Sequence, residues 1–394
     1  VAIQGTPTWH FVNVGWIIPV PDLEESLMRM GKQAHWYLRW PLFLAYLVGI
    51  ASPAAAFQLS PSGTPLERHQ VKVNAAWYQR YTTNVASWGV YQFTHPVHEE
   101  ITQYIFGCDI DEEGCSDPTM EFAPNSILAG VRWNDDPPFK LNSTSIPECR
   151  AEQTVRVVTQ PICWYKLFKH AEARSKTTFF DGKSKRWNMM YRSHFGDLQF
   201  LHAMASKDGE PAAVTRGRIL MWAEFSWGVA TGQIPSATLL ANVKIDDFEE
   251  FFGNSGQDVL TLYTLGNSAL RRNIRDMAFG SLLHLVEDSF AFGHADRAPP
   301  VAGATCPESE LPHPGVIRSF RSYTNQDHKK HGLHDSRDSY RARLEMKPNV
   351  VDVGKILVDK YDRQEPWSSV AGYFQCLFDL ENDNQPASAG DGLS

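Results

Sequence analysis

His284-Leu-Val-Glu-Asp288-Ser-Phe-Ala-Phe-Gly-His294 is the stretch that decides what kind of fold this chain can adopt. An imidazole and a carboxylate stand four residues apart, so on a helix His284 and Asp288 project from adjacent turns of one face. Leu282, Leu283, Leu285, Val286, Phe290 and Phe292 surround them and make the segment core-facing. Gly293 marks where the helix stops, with a second imidazole, His294, just beyond it. Ionisable groups in an apolar setting need a partner, and a metal ion is the partner that His and Asp share. Alone, such a pair is more often simply hydrogen-bonded, so the ligand reading depends on what other segments supply.

Four other segments carry the same chemistry. Thr94-His-Pro-Val-His98-Glu-Glu begins a helix, with Pro96 in its first turn and Glu99 and Glu100 where the helix dipole favours them, so His98 lies at the helix start. Trp133-Asn-Asp135-Asp136-Pro-Pro138 puts adjacent carboxylates at a helix end; the alternative is a turn in which an Asp bonds its own backbone. Ser193-His194-Phe-Gly-Asp197 precedes His202, which lies roughly two helical turns beyond His194. His328-Lys-Lys-His331-Gly-Leu-His334-Asp335-Ser-Arg-Asp338 holds two His/Asp pairs at four-residue spacing, so one is redundant. His98, Asp135 or Asp136, His194, His284, Asp288, His294, His331 and Asp335 exceed what one zinc needs. Two or three ions is the natural count, with Asp288 best placed to bridge. Clustered N/O sites with open positions serve phosphoester hydrolysis.

The remainder of the chain sets bounds on this reading. The 394 residues carry a formal charge of −8, which argues against binding nucleic acid through net charge but does not exclude a nuclease. No Gly-x-Ser-x-Gly elbow, phosphate-binding Gly-Lys-Ser/Thr loop or dinucleotide Gly pattern is present. Apolar helical periodicity runs over 212–232, 258–292 and roughly 351–378, and strand alternation is scarce, so the expected fold is all-α with long loops. Residues 140–190 read as a loop-rich insertion. Its Lys166, Lys169, Arg174, Lys176, Lys183, Lys185 and Arg186 form a solvated face, or a patch for anionic lipid. Residues 296–316 read as a loop over the site.

Cys108-Asp-Ile-Asp-Glu-Glu-Gly-Cys115 opens like an EF-hand loop but fails at Met120, so an acidic turn closed by a disulfide is expected. Six cysteines imply three disulfides. Of the fifteen possible connectivities, short loops favour Cys108–Cys115 and Cys149–Cys163, leaving Cys306 with Cys376. Arg29, Lys32 and Arg39 precede the apolar run Pro41–Ala51 and the tripeptide Ala54-Ala-Ala56, as in a secretory signal. The expected organisation is an upstream extension plus signal over 1–56, one catalytic domain over 57–380 starting near Phe57, and a disordered polar tail over 381–394. The mature protein would be secreted.

The spacing His284-x3-Asp288-x5-His294, followed by His331-x3-Asp335 and preceded by Trp-Asn-Asp135 and Ser-His194-Phe, resembles the zinc-dependent phospholipase C family, related to the single-strand-specific zinc nucleases. The likeness covers roughly residues 88–340 and is nearest a secreted bacterial-type, phosphatidylcholine-hydrolysing branch. It implies a multi-helix phospholipase C-like domain with three zinc ions. His284 and Asp288 would bind one zinc with Asp135 and His194, Asp288 bridging to a second. His294, His331 and Asp335 would hold another, with Asp335 where the family more often has Glu, and His98 would complete the remaining site. The family often adds an N-terminal tryptophan there; Trp88 would require a second cleavage after Ser87, and His95 is an alternative. Asp135 is the candidate general base, water activated by metal alone being equally open. Asp136, His202, His328 and His334 are possible further ligands or supports. The implied reaction releases diacylglycerol and phosphocholine from phosphatidylcholine at a membrane surface, with no nucleic-acid partner. The alternatives are a zinc-dependent single-strand nuclease or 3′-nucleotidase, and a metal-stabilised secreted protein without activity.

Overall fold

The computed structural model describes residue 59 and residues 63–67, 96–109, 115, 122–184 and 186–394. The expected signal segment, Phe57, Trp88, His95 and residues 110–114 of the Cys108–Cys115 turn lie outside the described residues. In chain order the helices are α1 Val97–Ile105, α2 Asn125–Val131, α3 Pro161–Ser175, α4 Met189–Phe195, α5 Ala212–Ala230, α6 Phe248–Phe252, α7 Val259–Thr264, α8 Ile274–Asp288, α9 His328–His334, α10 Arg337–Arg343, α11 Val350–Asp362 and α12 Trp367–Leu377. A 3-10 turn covers Gln199–His202. Two antiparallel ladders accompany them: β1 Phe139–Lys140 with β2 Thr154–Val155, and β3 Ala295–Arg297 with β4 Ile317–Phe320. The fold is mostly α. The all-α expectation missed these two short ladders because two to four residues are too few to register as alternation.

Helix α8 is the axis of the core. Every residue from Met277 to Asp288 is buried, as expected of a helix that is apolar on all sides. It meets α2 backbone to backbone through a pair of glycines. A Cβ on Gly130 would lie 2.3 Å from the Met277 carbonyl oxygen, and one on Gly280 would lie 2.2 Å from that of Ile127. Only glycine permits this approach. The crossing brings Asp135, just after α2, to the last turn of α8. Asn134 then fixes the loop: its Nδ2 donates to the carbonyls of Leu201 and Ser281, and Ser281 Oγ donates to its Oδ1 at 2.6 Å. On the far side α5 buries Trp222 and Trp227 against the same core.

Three departures from the expected elements have local causes. The last amphipathic helix is two, α11 and α12, because Gln364 takes a positive φ of 54° and Pro366 caps the second. Residues 140–190 include the 15-residue α3, which opens with proline at its first turn and is tied down by Cys149–Cys163. The segment 258–292 breaks after α7 near Gly266, whose φ is 75°, and α8 ends at Asp288. The residues expected to form a disordered tail are instead pinned: Pro386 bridges to Pro211, Ser388 to Arg321, and the Leu393 carbonyl accepts from the Asp327 N–H. A polar segment stays ordered when neighbouring backbone satisfies its hydrogen bonds.

All three expected disulfides form: Cys108–Cys115, Cys149–Cys163 and Cys306–Cys376. They mark an oxidising, extracellular-type environment. No helix among the described residues is long and apolar enough to cross a membrane.

Candidate metal centre

Asp288, at the end of α8, sits at the centre of a buried His/Asp cluster, and its two carboxylate oxygens face different partners. Oδ2 lies 2.9 Å from His284 Nε2 and 3.0 Å from His202 Nδ1. Oδ1 lies 3.3 Å from His98 Nε2 and 3.6 Å from His294 Nε2. Three groups with metal-ligand spacing result: His98/His284/Asp288, Asp135/His202/His284 and His294/His331/Asp335.

The donor atoms are close enough together to share a cation. His202 Nδ1 and His284 Nε2 are 3.1 Å apart, and Asp135 Oδ1 is 3.7 and 3.8 Å from them. A tetrahedron with zinc–ligand bonds of 2.0–2.1 Å separates its ligands by roughly 3.3 Å. In the third group Asp335 Oδ2 lies 2.7 Å from His331 Nε2 and 3.3 Å from His294 Nε2.

The stronger test of fit is what lacks a partner. Both carboxylate oxygens of Asp135 are buried with no hydrogen-bond donor, as is Asp335 Oδ1. Buried carboxylate oxygens left in that condition carry a full desolvation cost, and a cation among them removes it. The donor set of imidazole and carboxylate suits zinc.

Second contacts aim the imidazoles. His98 Nδ1 donates to Glu287 Oε2 at 2.9 Å, and Thr102 Oγ1 holds the other oxygen of Glu287. His294 Nδ1 donates to the His202 carbonyl at 2.6 Å. In each case the opposite nitrogen is left turned into the cluster, the usual arrangement around ligating histidines. Gly293 leaves room for this: a Cβ there would come within 2.9 Å of His331 Nδ1.

The electrostatics follow from crowding charges without solvent. Burial pushes His284 down to about 3. Against the same burial penalty, Asp288 and Asp335 hold His294 up to about 9. His98 is likewise raised against burial, chiefly by Asp288. Asp288 is held well below the carboxylate range, despite burial, by His294, His284 and His98. Burial drives Asp135 up.

Of the residues singled out in the sequence, His98, Asp135, His284, Asp288, His294, His331 and Asp335 come together. His194 stands beside the cluster but outside the three groups: its Nε2 donates to the Asp135 backbone carbonyl at 3.1 Å, and its Nδ1 meets Ser193 Oγ. His202 takes the position expected of His194. Asp136 points away, into a buried network with Arg156 and the Val157 N–H. His328 pairs with Glu172 at 2.5 Å, and the His334 ring packs on Phe292. Sequence reasoning missed Glu287 as a partner for His98. Its signal was an acidic residue in an otherwise apolar run, next to the one that was noticed.

A cleft of about 270 Å³ opens onto the cluster. His98, Glu287, Asp288 and Asp335 line it together with the apolar Val97, Ile101, Phe290, Pro299, Pro300 and Val350. The loop over 296–316 supplies part of that lining, held to α12 by Cys306–Cys376. Comparison with protein-family models, curated proteins and solved structures finds no match for the chain.

Proposed function

We propose that the chain is a secreted, zinc-dependent phosphodiesterase that cleaves phospholipids to diacylglycerol and a phosphomonoester. The observation that carries this reading is the cleft, whose lining combines the cluster residues His98, Asp288 and Asp335 with apolar side chains. A phospholipid fits both, its phosphate against the cluster residues and its glyceride arm along the apolar side chains. The three disulfides support export, for which residues 28–56 would be the signal.

Asp135, His202, His284, Asp288, His98, His294, His331 and Asp335 would hold the ions. When bound, zinc would polarise a phosphoryl oxygen and acidify water near neutral pH. Asp288 divides its two oxygens between donor groups and would be the residue shared between ions. Glu287 and the His202 carbonyl keep the His98 and His294 rings in register. Glu287, Asp288 and Asp335 line the cleft, whereas Asp135 does not, which favours Asp135 as a ligand over a general base. In the reaction, water oxygen adds to phosphorus and the phosphorus–oxygen bond to the glyceride breaks. One water proton ends on the departing oxygen and the other is released.

The test is metal analysis of the purified protein together with assays on phospholipid and single-stranded DNA. The expected result is phosphomonoester release that EDTA abolishes and zinc restores. Full activity after EDTA would sink the reading. Digestion of DNA without lipid hydrolysis would replace phospholipid with nucleic acid as the substrate.

A further inference from the structure

Beyond the donor cluster, the fixed charge lining the cleft is positive. It comes from Arg297 and Arg343. Arg297 makes four hydrogen bonds: Nε and Nη2 donate to Ser289, and Nη1 donates to the carbonyls of Gly315 and Leu377. Arg343 donates once, from Nη1 to the Phe290 carbonyl at 2.5 Å. No carboxylate among the described residues lies within ion-pair distance of it, so its remaining donors are available in the cleft beside Asp335.

The aromatic rings point the same way. A quaternary ammonium is held by open aromatic faces or by carboxylates. Here the Arg297 guanidinium sits over Phe290 at 4.6 Å, and those of Arg321 and Arg343 sit by Phe292 at 4.9 and 6.0 Å. The Tyr340 hydroxyl is tied to buried Glu100. A choline headgroup would therefore meet guanidinium charge at the Phe290 and Phe292 rings. The lining carboxylates offer no substitute, since all belong to the donor cluster or its support.

We propose that the cleft selects phosphodiesters whose headgroup carries no cation, such as phosphatidylglycerol, and that Arg343 sets this preference; the inference rests on the phospholipase reading. Arg343 engages anionic or hydroxyl oxygens flanking the phosphate and repels an ammonium group in the same place. Like charges within several ångströms, in surroundings of intermediate dielectric, are sufficient for roughly tenfold or greater discrimination.

The experiment uses zinc-loaded protein and short-chain phosphatidylglycerol and phosphatidylcholine below their micelle concentrations, so that no charged surface biases the comparison. Wild-type kcat/KM is expected to favour phosphatidylglycerol by about tenfold or more. Arg343→Gln should bring the ratio close to one, and Arg343→Lys should keep its direction, with equal zinc content in all three. A wild-type preference for phosphatidylcholine, or a ratio that Arg343→Gln leaves unchanged, overturns the inference. An equal fall on both substrates assigns Arg343 to the shared phosphate and also overturns the headgroup preference. If zinc-loaded protein hydrolyses neither lipid, the phospholipase reading itself falls.

Discussion

Asp135 and Asp136 are adjacent, both buried, and answered in opposite ways. Asp136 Oδ1 accepts from the Val157 N–H at 2.9 Å and Oδ2 from Arg156 Nε at 3.1 Å. Arg156 also pairs with Glu67, which pairs with Arg132, which pairs with Glu99. In that region the protein supplies its own counter-charge, and the arginines hold Glu67 below its usual range despite burial. Asp135 has no donor on either oxygen, only imidazole nitrogens 3.7 and 3.8 Å away. A buried carboxylate is thus not in itself a sign of function. The sign is a buried carboxylate whose oxygens find no hydrogen-bond donor.

The largest effect is expected at the residue shared between donor groups. Asp288→Asn should lose bound metal and reduce hydrolysis by more than the roughly 100-fold typical of an outer-shell change. Metal analysis beside the assay checks it, and retained turnover with a full metal complement would remove Asp288 from its central role. Next comes the direct contrast. Asp136→Asn should lower unfolding free energy by about 3–5 kcal/mol, read by urea denaturation, with metal content unchanged. Asp135→Asn should do the reverse, losing metal while costing the metal-free protein little. If the two variants behave alike, the distinction between the regions is wrong.

A smaller loss, about 2–4 kcal/mol, is expected from replacing Cys306 and Cys376 together by serine. It should appear in urea denaturation and should loosen the loop that walls the cleft. The smallest effect is a pH trend in the metal-free protein. The folded-state value of His294, about 9, lies above its ordinary 6.5. Its stabilising contribution is therefore complete below pH 6.5 and fades as pH rises through about 9. The Tm of EDTA-treated protein should decline over that window, and His294→Gln should remove that part of the decline.

Much of this was legible because spacing along one helix reports geometry directly. His284 and Asp288 face each other as their four-residue separation requires, and His331 and Asp335 do likewise. Cysteine spacing favoured the pairs that form. The segment after α4 was misread because helical spacing was carried through a bend. At Gly196 the backbone leaves the helix, and a Cβ there would lie 2.1 Å from the Phe180 carbonyl oxygen. That turn sends His202 into the cluster and leaves His194 on the Asp135 backbone. The two-glycine crossing of α2 and α8, and the partnership of Glu287 with His98 across 189 positions, are contacts between distant segments that no local pattern encodes.

The pinned residues after Asn382 also give the site an order of assembly. Gln326, at the entrance to α9, donates through Nε2 to the carbonyls of both Gly293 and Ala389. It thereby joins the His294 turn, the helix bearing His331, and the final stretch of the sequence. A chain emerging residue by residue presents seven of its eight donors before that helix ends, but lacks the strap behind it until Ala389 has appeared. The group formed by His294, His331 and Asp335 is accordingly the last of the three to be secured.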